Sequence, residues 1–363
     1  MTDRYAQLAQ NALDDVPLSE ADARWILDGE DVELLSLVQA AFIPRRAHFG
    51  RRVGVQVLNN VQNGLCPEDC GYCAQSKTTE APVREYPMKS DEEILKGAAE
   101  AAAGGAVRYC MAMSGRGPSL HRAERFAKLI RQIKAEHDIE VCLSAGLMGD
   151  EHVAVLKAAG LDRMNHNLNT SEAHYEKICS THTYADRVAT LEAAQRAGIE
   201  LCSGLIIGMG EVSDDIIEVV FKLHSLGAPS IPVNFLIPIE GNAVQDDGSL
   251  SPERCVRVLC LVRLANPRAE IRIAGGREGH LRGLQSLALY AANSLFVGGY
   301  LTTRGDAWSE TFGLIEDAGF EVAETARGDS QPMTETKTRR GFRLPGSEAL
   351  LRPDVAAPQP KSH

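Results

Sequence analysis

Between about residue 50 and residue 300, short runs rich in β-branched residues alternate with longer stretches whose apolar positions recur at helical spacing. The short runs are VGVQVLNNV, VRYCMAM, EVCLSAG, DRMNHNL, ELCSGLIIG, SIPVNFLIP, EIRIAGG and SLFVGGY. Amphipathic stretches such as DEEILKGAAEAAA, RAERFAKLIRQIKAEH, DRVATLEAAQRAG and PERCVRVLCLVRLA lie between them, and AWSETFGLIEDAG follows the last. Eight strands with a helix after each predict an α/β protein, a parallel (β/α)8 TIM-type barrel spanning residues 51–326. A doubly wound open sheet produces the same alternation, but no GxGxxG follows the first strand. Residues 1–50 hold two helical pieces, around SEADARWIL and VELLSLVQAAF, with Ser19 placed to cap the first. They predict an N-terminal helical cap. Residues 327–363 are polar, proline-rich and aperiodic, which predicts a disordered tail that carries no chemistry.

Composition narrows the setting. The 363 residues are 44% hydrophobic and 24% charged, ordinary for a globular chain with a packed core. A formal charge of −11, without a dense Lys/Arg run, argues against nucleic acid as a partner. The N-terminus shows no basic segment followed by an apolar one, and nowhere do about 18 apolar residues run together. The expectation is a cytoplasmic protein without a membrane span. That compartment is reducing, so the nine cysteines read first as thiols or metal ligands.

Cys66, Cys70 and Cys73 form C-x3-C-x2-C in the loop after the first strand, on the barrel face where active sites assemble. A structural zinc site would need a fourth ligand close by, and the next cysteine, Cys110, belongs to a separate strand. Three thiolates on a four-iron cluster would instead leave one iron open to a substrate. Cys110, Cys142 and Cys202 each sit inside a strand, where a single cysteine reads as a small buried hydrophobe. Interior layers draw on alternate strands, so the third, fifth and seventh can share Cys142, Cys202 and Arg272. Cys110, on the second strand, would lie one layer away but adjacent. A second iron–sulfur site fits this convergence.

In MNHNLNTS, Asn165, Asn167 and Asn169 share a face if the strand continues that far, and His166 points away from them. Buried amides need hydrogen-bonding partners. Arg187, in the helix after THTY, reads by itself as a solvated helical charge, and Thr302 and Thr303 as strand-end residues. Cys179, Cys255 and Cys260 read as core packing.

The C-x3-C-x2-C loop, with Tyr72 before its last cysteine, is similar to the signature of radical S-adenosylmethionine (SAM) enzymes. In that superfamily the open iron chelates SAM, and an electron from the cluster cleaves it to methionine and a 5'-deoxyadenosyl radical. From about residue 45 to residue 305, CPEDCGYC, RYCM, MNHNLNTS, ELCSG, GMGE, IRIAGGRE and LTTR resemble the biotin synthase family, in its order and near its spacing. The resemblance implies a 4Fe-4S cluster on Cys66, Cys70 and Cys73, and a 2Fe-2S cluster on Cys110, Cys142, Cys202 and Arg272. It further implies SAM contacts from Tyr72, Asn167, Asn169 and Arg187. Asn165 and Asn234 would meet the substrate's ureido group, while Arg108, Thr302 and Thr303 would lie towards its acid tail. The implied reaction is sulfur insertion into dethiobiotin to form biotin, with the 2Fe-2S cluster as sulfur donor. A one-electron donor such as flavodoxin and a homodimer are implied as well. The alternatives are another radical SAM enzyme of related barrel type, a maturase or methylthiotransferase, and a non-catalytic metal-binding protein.

Overall fold

Each of the eight β-prone runs forms strand in a computed structural model that describes residues 2–245, 248 and 250–324. The strands are β1 Arg52–Gln62, β2 Arg108–Met113, β3 Glu140–Ser144, β4 Arg163–Asn165, β5 Glu200–Cys202, β6 Leu205–Ile207, β7 Ser230–Phe235, β8 Glu270–Ile273, β9 Ser294–Val297 and β10 Glu321–Val322. Every pairing is parallel, and the order β1-β2-β3-β4-β5-β7-β8-β9 closes through β1 and β9 into a barrel. The expected tail, residues 327–363, lies outside the described residues.

The predicted strand ELCSGLIIG is split into β5 and β6 at Ser203 and Gly204. A side chain at Gly204 would place its Cβ 1.9 Å from the Pro232 carbonyl oxygen, so the close crossing of β7 requires glycine. β10, which extends the sheet at Arg52 and Val53, was not expected. Among the described residues no helix is long and apolar enough to cross a membrane.

The N-terminal cap has three helices rather than two, Thr2–Leu13, Glu20–Asp28 and Leu34–Phe49. Ser19 caps the second as expected, its hydroxyl accepting the Asp22 N–H at 3.1 Å. The third continues through Pro44, past the predicted end at Phe42, and packs on the helix Pro252–Ala265. Arg45, fully buried in it, donates to the carbonyls of Gly50, Arg52 and Ala292. Those carbonyls flank the starts of β1 and β9, so the cap lies against the N-terminal end of the barrel.

Alternation along each strand sorts two interiors. Tyr109, Met111, Val141, Leu143, Ile271 and Ile273 face outwards into the apolar layer beneath the helices. The inward set begins with charged or polar residues, Gln56, Arg108, Glu140, Ser230, Glu270 and Ser294, all buried or nearly so. Two residues further along come Leu58, Cys110, Cys142, Arg272 and Phe296, and beyond these a cavity opens at the C-terminal ends of the strands.

Candidate functional site

The cavity holds about 350 Å³ and is walled by the C-x3-C-x2-C loop on one side and the barrel interior beneath it. Cys66, Cys70 and Cys73 all line it. The loop turns tightly, with the Cys73 N–H donating to the Cys70 carbonyl at 3.0 Å and the Lys77 N–H to the Glu68 carbonyl at 2.9 Å. Its position is set by the segment after β4, since the Gly71 N–H bonds the Ile178 carbonyl at 2.8 Å. Asp69 accepts the N–H groups of Ser180 at 2.9 Å and Thr181 at 3.1 Å. Burial opposes ionisation of Asp69, but these bonds, with those from the Ser180 hydroxyl and Cys179, hold its carboxyl below the usual range. Burial pushes the Cys66 and Cys73 thiols up; at Cys70 the bond it donates to Cys179 does so first, then burial.

Arg187 is buried, not solvated. Its Nη1 donates to the Asn167 carbonyl at 2.9 Å, its Nη2 approaches Tyr72 Oη at 3.4 Å, and its Nε bonds the Tyr175 hydroxyl. Nη2 also lies 2.9 Å from His182 Nε2. A guanidinium can only donate, so that nitrogen accepts, and the His182 proton is assigned to Nδ1, 2.5 Å from Glu68 Oε2.

Asn165, Asn167 and Asn169 all line the cavity, although β4 ends at Asn165 and Asn169 adopts φ 73°. Asn169 Nδ2 donates to Tyr72 Oη at 2.6 Å. Because the pleat stops, His166 does not point away as alternation predicted: it too lines the cavity, with Nε2 buried and unpartnered. Burial first, and then the positive charge of Arg187, holds its pKa well below the usual value, so the imidazole is neutral. Asn234 is clamped at both ends of its amide, by the Leu205 carbonyl at 3.2 Å and the Gly275 N–H at 3.0 Å. Thr302 and Thr303 line the mouth.

Below the loop, Cys110, Cys142 and Cys202 converge as buried free thiols, packed with Ala274 and Phe296. Cys110 stands in direct register with Cys142, not one layer away, because β2 and β3 pair at these residues. Hydrogen bonding with Cys110 and Cys202 holds the Cys142 pKa up, and the same interaction draws those of Cys110 and Cys202 down against burial. Cys202 Sγ also lies 3.3 Å from Asn165 Nδ2 and 3.5 Å from Arg272 Nη1. Arg272 is 1% exposed, and its Nε, buried, has no hydrogen-bond partner among the described residues.

Arg108 is not where the family resemblance implied. It is fully buried below the thiols, absent from the cavity wall, and held by Glu140 at 2.6 Å and Glu270 at 2.9 Å. Its charge is thus matched inside the barrel. Glu270 also receives Arg272 Nη2 at 2.6 Å, Gln56 Nε2 at 2.7 Å and the Ser230 hydroxyl at 3.1 Å. Burial opposes its ionisation, yet Arg108 and Arg272 hold its pKa well below the usual carboxylate range. Cys179 is buried in the core, as expected, and its sulfur also lies 3.7 Å from Cys70 Sγ.

Residues 62–223 match the Radical SAM superfamily, and residues 232–321 match the Biotin and Thiamin Synthesis associated domain. A biotin synthase of Acaryochloris marina is 55% identical over 336 residues, which cover 93% of this chain and 96% of that relative. The chain belongs to the biotin synthase family. A second biotin synthase, from Magnetococcus marinus, is 53% identical over 307 residues, 85% of this chain and 95% of its own length. A solved methylornithine synthase superposes with a TM-score of 0.75 at 21% identity, over 87% of this chain and 97% of that one. The FeFe-hydrogenase maturase from Carboxydothermus hydrogenoformans gives 0.75 at 18%, over 90% of this chain and 80% of that one. At such identities these two show a shared fold alone.

For this member of the biotin synthase family, sequence reading missed the charge network beneath the thiols, although period two contained it. Arg108, Glu140 and Glu270 stand two residues before Cys110, Cys142 and Arg272, hence on the same inward face. Glu68 and His182 carried no such signal, because they meet through loops 114 positions apart.

Proposed function

We propose that this chain inserts sulfur into dethiobiotin to form biotin, with a 4Fe-4S cluster, SAM and a sulfur-donating 2Fe-2S cluster. The observation that carries the reading is the pairing of two thiol sets at one cavity: Cys66, Cys70 and Cys73 on its wall above, and Cys110, Cys142 and Arg272 beneath, with Cys202 packed against them. The biotin synthase family resemblance accounts for the lower set, which the C-x3-C-x2-C loop by itself does not imply. Both sets fit the groups assigned to them. The loop thiols face open space, and the three lower thiols converge beside the buried guanidinium of Arg272, which donates to Cys202 Sγ and sets a cation against the thiolates; its place as a ligand is what the family resemblance implies.

Cys66, Cys70 and Cys73 would hold the four-iron cluster, and Cys110, Cys142, Cys202 and Arg272 the two-iron cluster. When bound, these groups supply a 5'-deoxyadenosyl radical that abstracts hydrogen from dethiobiotin's unactivated carbons, and the sulfur that replaces it. Acid–base catalysis cannot functionalise such carbons, so the protein's part is orientation and exclusion of water. Tyr72, Asn167, Asn169 and Arg187 would hold SAM, the buried guanidinium of Arg187 beside its carboxylate. Asn165 and the clamped Asn234 would face the ureido ring, and Thr302 and Thr303 the acid tail. Arg108 is reassigned to the charge network under the lower thiols. A flavodoxin-type protein as one-electron donor, a homodimer and a cytoplasmic location complete the proposal, supported by the family resemblance.

The test is anaerobic reconstitution followed by incubation with SAM, reductant and dethiobiotin. Biotin and 5'-deoxyadenosine should appear together. Deoxyadenosine without biotin would transfer the chain to another radical SAM activity, and zinc as the sole bound metal would overturn both.

A further inference from the structure

With Arg108 matched below the thiols, an acid tail at Thr302 and Thr303 needs its positive charge from elsewhere. The arginines that line the cavity are Arg116, Arg187 and Arg272, and each is engaged. Arg272 is paired with Glu270, Arg187 is tied to the Asn167 carbonyl, and Arg116 bonds Glu68 at 3.3 Å and the Thr181 carbonyl at 2.6 Å. The loop after β9 carries a fourth arginine, Arg304. This loop turns back tightly, the Gly298 N–H bonding the Asp306 carbonyl at 3.2 Å and the Tyr300 N–H the Thr303 carbonyl at 2.9 Å. Gly299 holds φ 129°, and a Cβ there would lie 3.6 Å from Arg304 Cα. Two side chains anchor the turn: Asn60 Nδ2 donates to the Leu301 carbonyl at 2.9 Å, and Glu278 accepts the Tyr300 hydroxyl at 3.0 Å and the Asp306 N–H at 3.2 Å.

Arg304 directly follows the two threonines of the mouth, is exposed, and has no hydrogen-bond or ion-pair partner among the described residues. The carboxylates of its surroundings are taken by Arg277, which reaches Asp306 at 2.9 Å and Glu278 at 3.4 Å. On a chain of formal charge −11, an unmatched guanidinium at the mouth locally reverses the field that an anionic substrate meets. We propose that Arg304 pairs with the carboxylate of the substrate's tail at the cavity mouth, so that the site selects an anionic tail over a neutral one. Threonine hydroxyls donate to a carboxylate and to an alcohol alike, whereas the planar fork of a guanidinium matches the two oxygens of a carboxylate. Arg304 is a specificity residue, and its role rests on the substrate reading made above.

The experiment is calorimetric binding to the reconstituted chain, with SAM present and no reductant, of dethiobiotin and of dethiobiotinol, its neutral analogue with a hydroxymethyl group in place of the carboxylate. Arg304→Ala should weaken dethiobiotin about two- to fivefold, the range of an exposed ion pair, and leave dethiobiotinol at its wild-type affinity. Arg304→Lys, which keeps the charge, should keep most of the preference. Salt at about 0.5 M should bring the wild-type preference towards that of Arg304→Ala. Equal weakening of both ligands, or none for dethiobiotin, overturns the inference alone. Dethiobiotin binding that depends on Arg304, without biotin formed once reductant is added, supports the inference and overturns the sulfur-insertion reading. A wild-type chain that binds neither ligand overturns both.

Discussion

Glu270→Ala removes a carboxylate shared by two buried guanidiniums. Arg108 is 0% and Arg272 1% exposed in its side chain, and Glu270 receives both, at 2.9 Å and 2.6 Å. Without it, Arg272 loses this counter-charge and Arg108 keeps only Glu140, which also serves Arg163 at 3.2 Å. Breaking a buried pair from one side costs about 3–5 kcal/mol, because the remaining charge stays buried. Two such charges share one partner here, so the loss should fall in that range or above. Glu270→Gln keeps the shape and part of the hydrogen bonding, and should lose less.

The assay is urea denaturation of the metal-free chain, read as a fall in midpoint at unchanged slope. The pH dependence has a definite sign. The folded pKa of Glu270 is depressed, so its contribution is complete above the unfolded value of about 4.3 and is lost as pH falls through the folded one. The gap between wild type and Glu270→Gln should therefore hold steady from neutral pH to about pH 5 and narrow below that. A Glu270→Ala loss under about 1 kcal/mol, the level of an exposed pair, would refute the argument.

Removing one thiol from each set should separate the two metal sites: Cys142→Ala should lower bound iron from about six to about four per chain, and Cys66→Ala to about two, measured after anaerobic reconstitution. Asn169→Gly should cost little stability, since Asn169 already holds φ 73°. It loses the bond to Tyr72, however, so SAM binding by calorimetry should weaken about five- to tenfold, one hydrogen bond being worth about 1 kcal/mol. Gly204→Ala should destabilise the barrel by about 1–3 kcal/mol or more in thermal unfolding, because its Cβ meets backbone rather than a movable side chain.

The barrel was legible in the chain because period two and helical spacing are local signals, and eight alternations leave few architectures. The C-x3-C-x2-C loop was legible for the same reason, its ligands lying within eight consecutive positions. The asparagine face was right in its grouping and wrong in its exclusion: Asn165, Asn167 and Asn169 share the cavity wall, but β4 stops at Asn165, and the turn that follows brings His166 into the same wall. Arg108 shows the other limit. Its position on an inward face could be read from the strand, whereas its height below the thiols, and the two carboxylates that claim it, depend on how β2, β3 and β8 register around a closed barrel. Cys179 and Cys70 meet only when the segment after β4 folds back on the loop after β1, a separation of 109 residues. Contacts of that kind are set by chain closure and loop packing, which leave no periodic trace in the residues that make them.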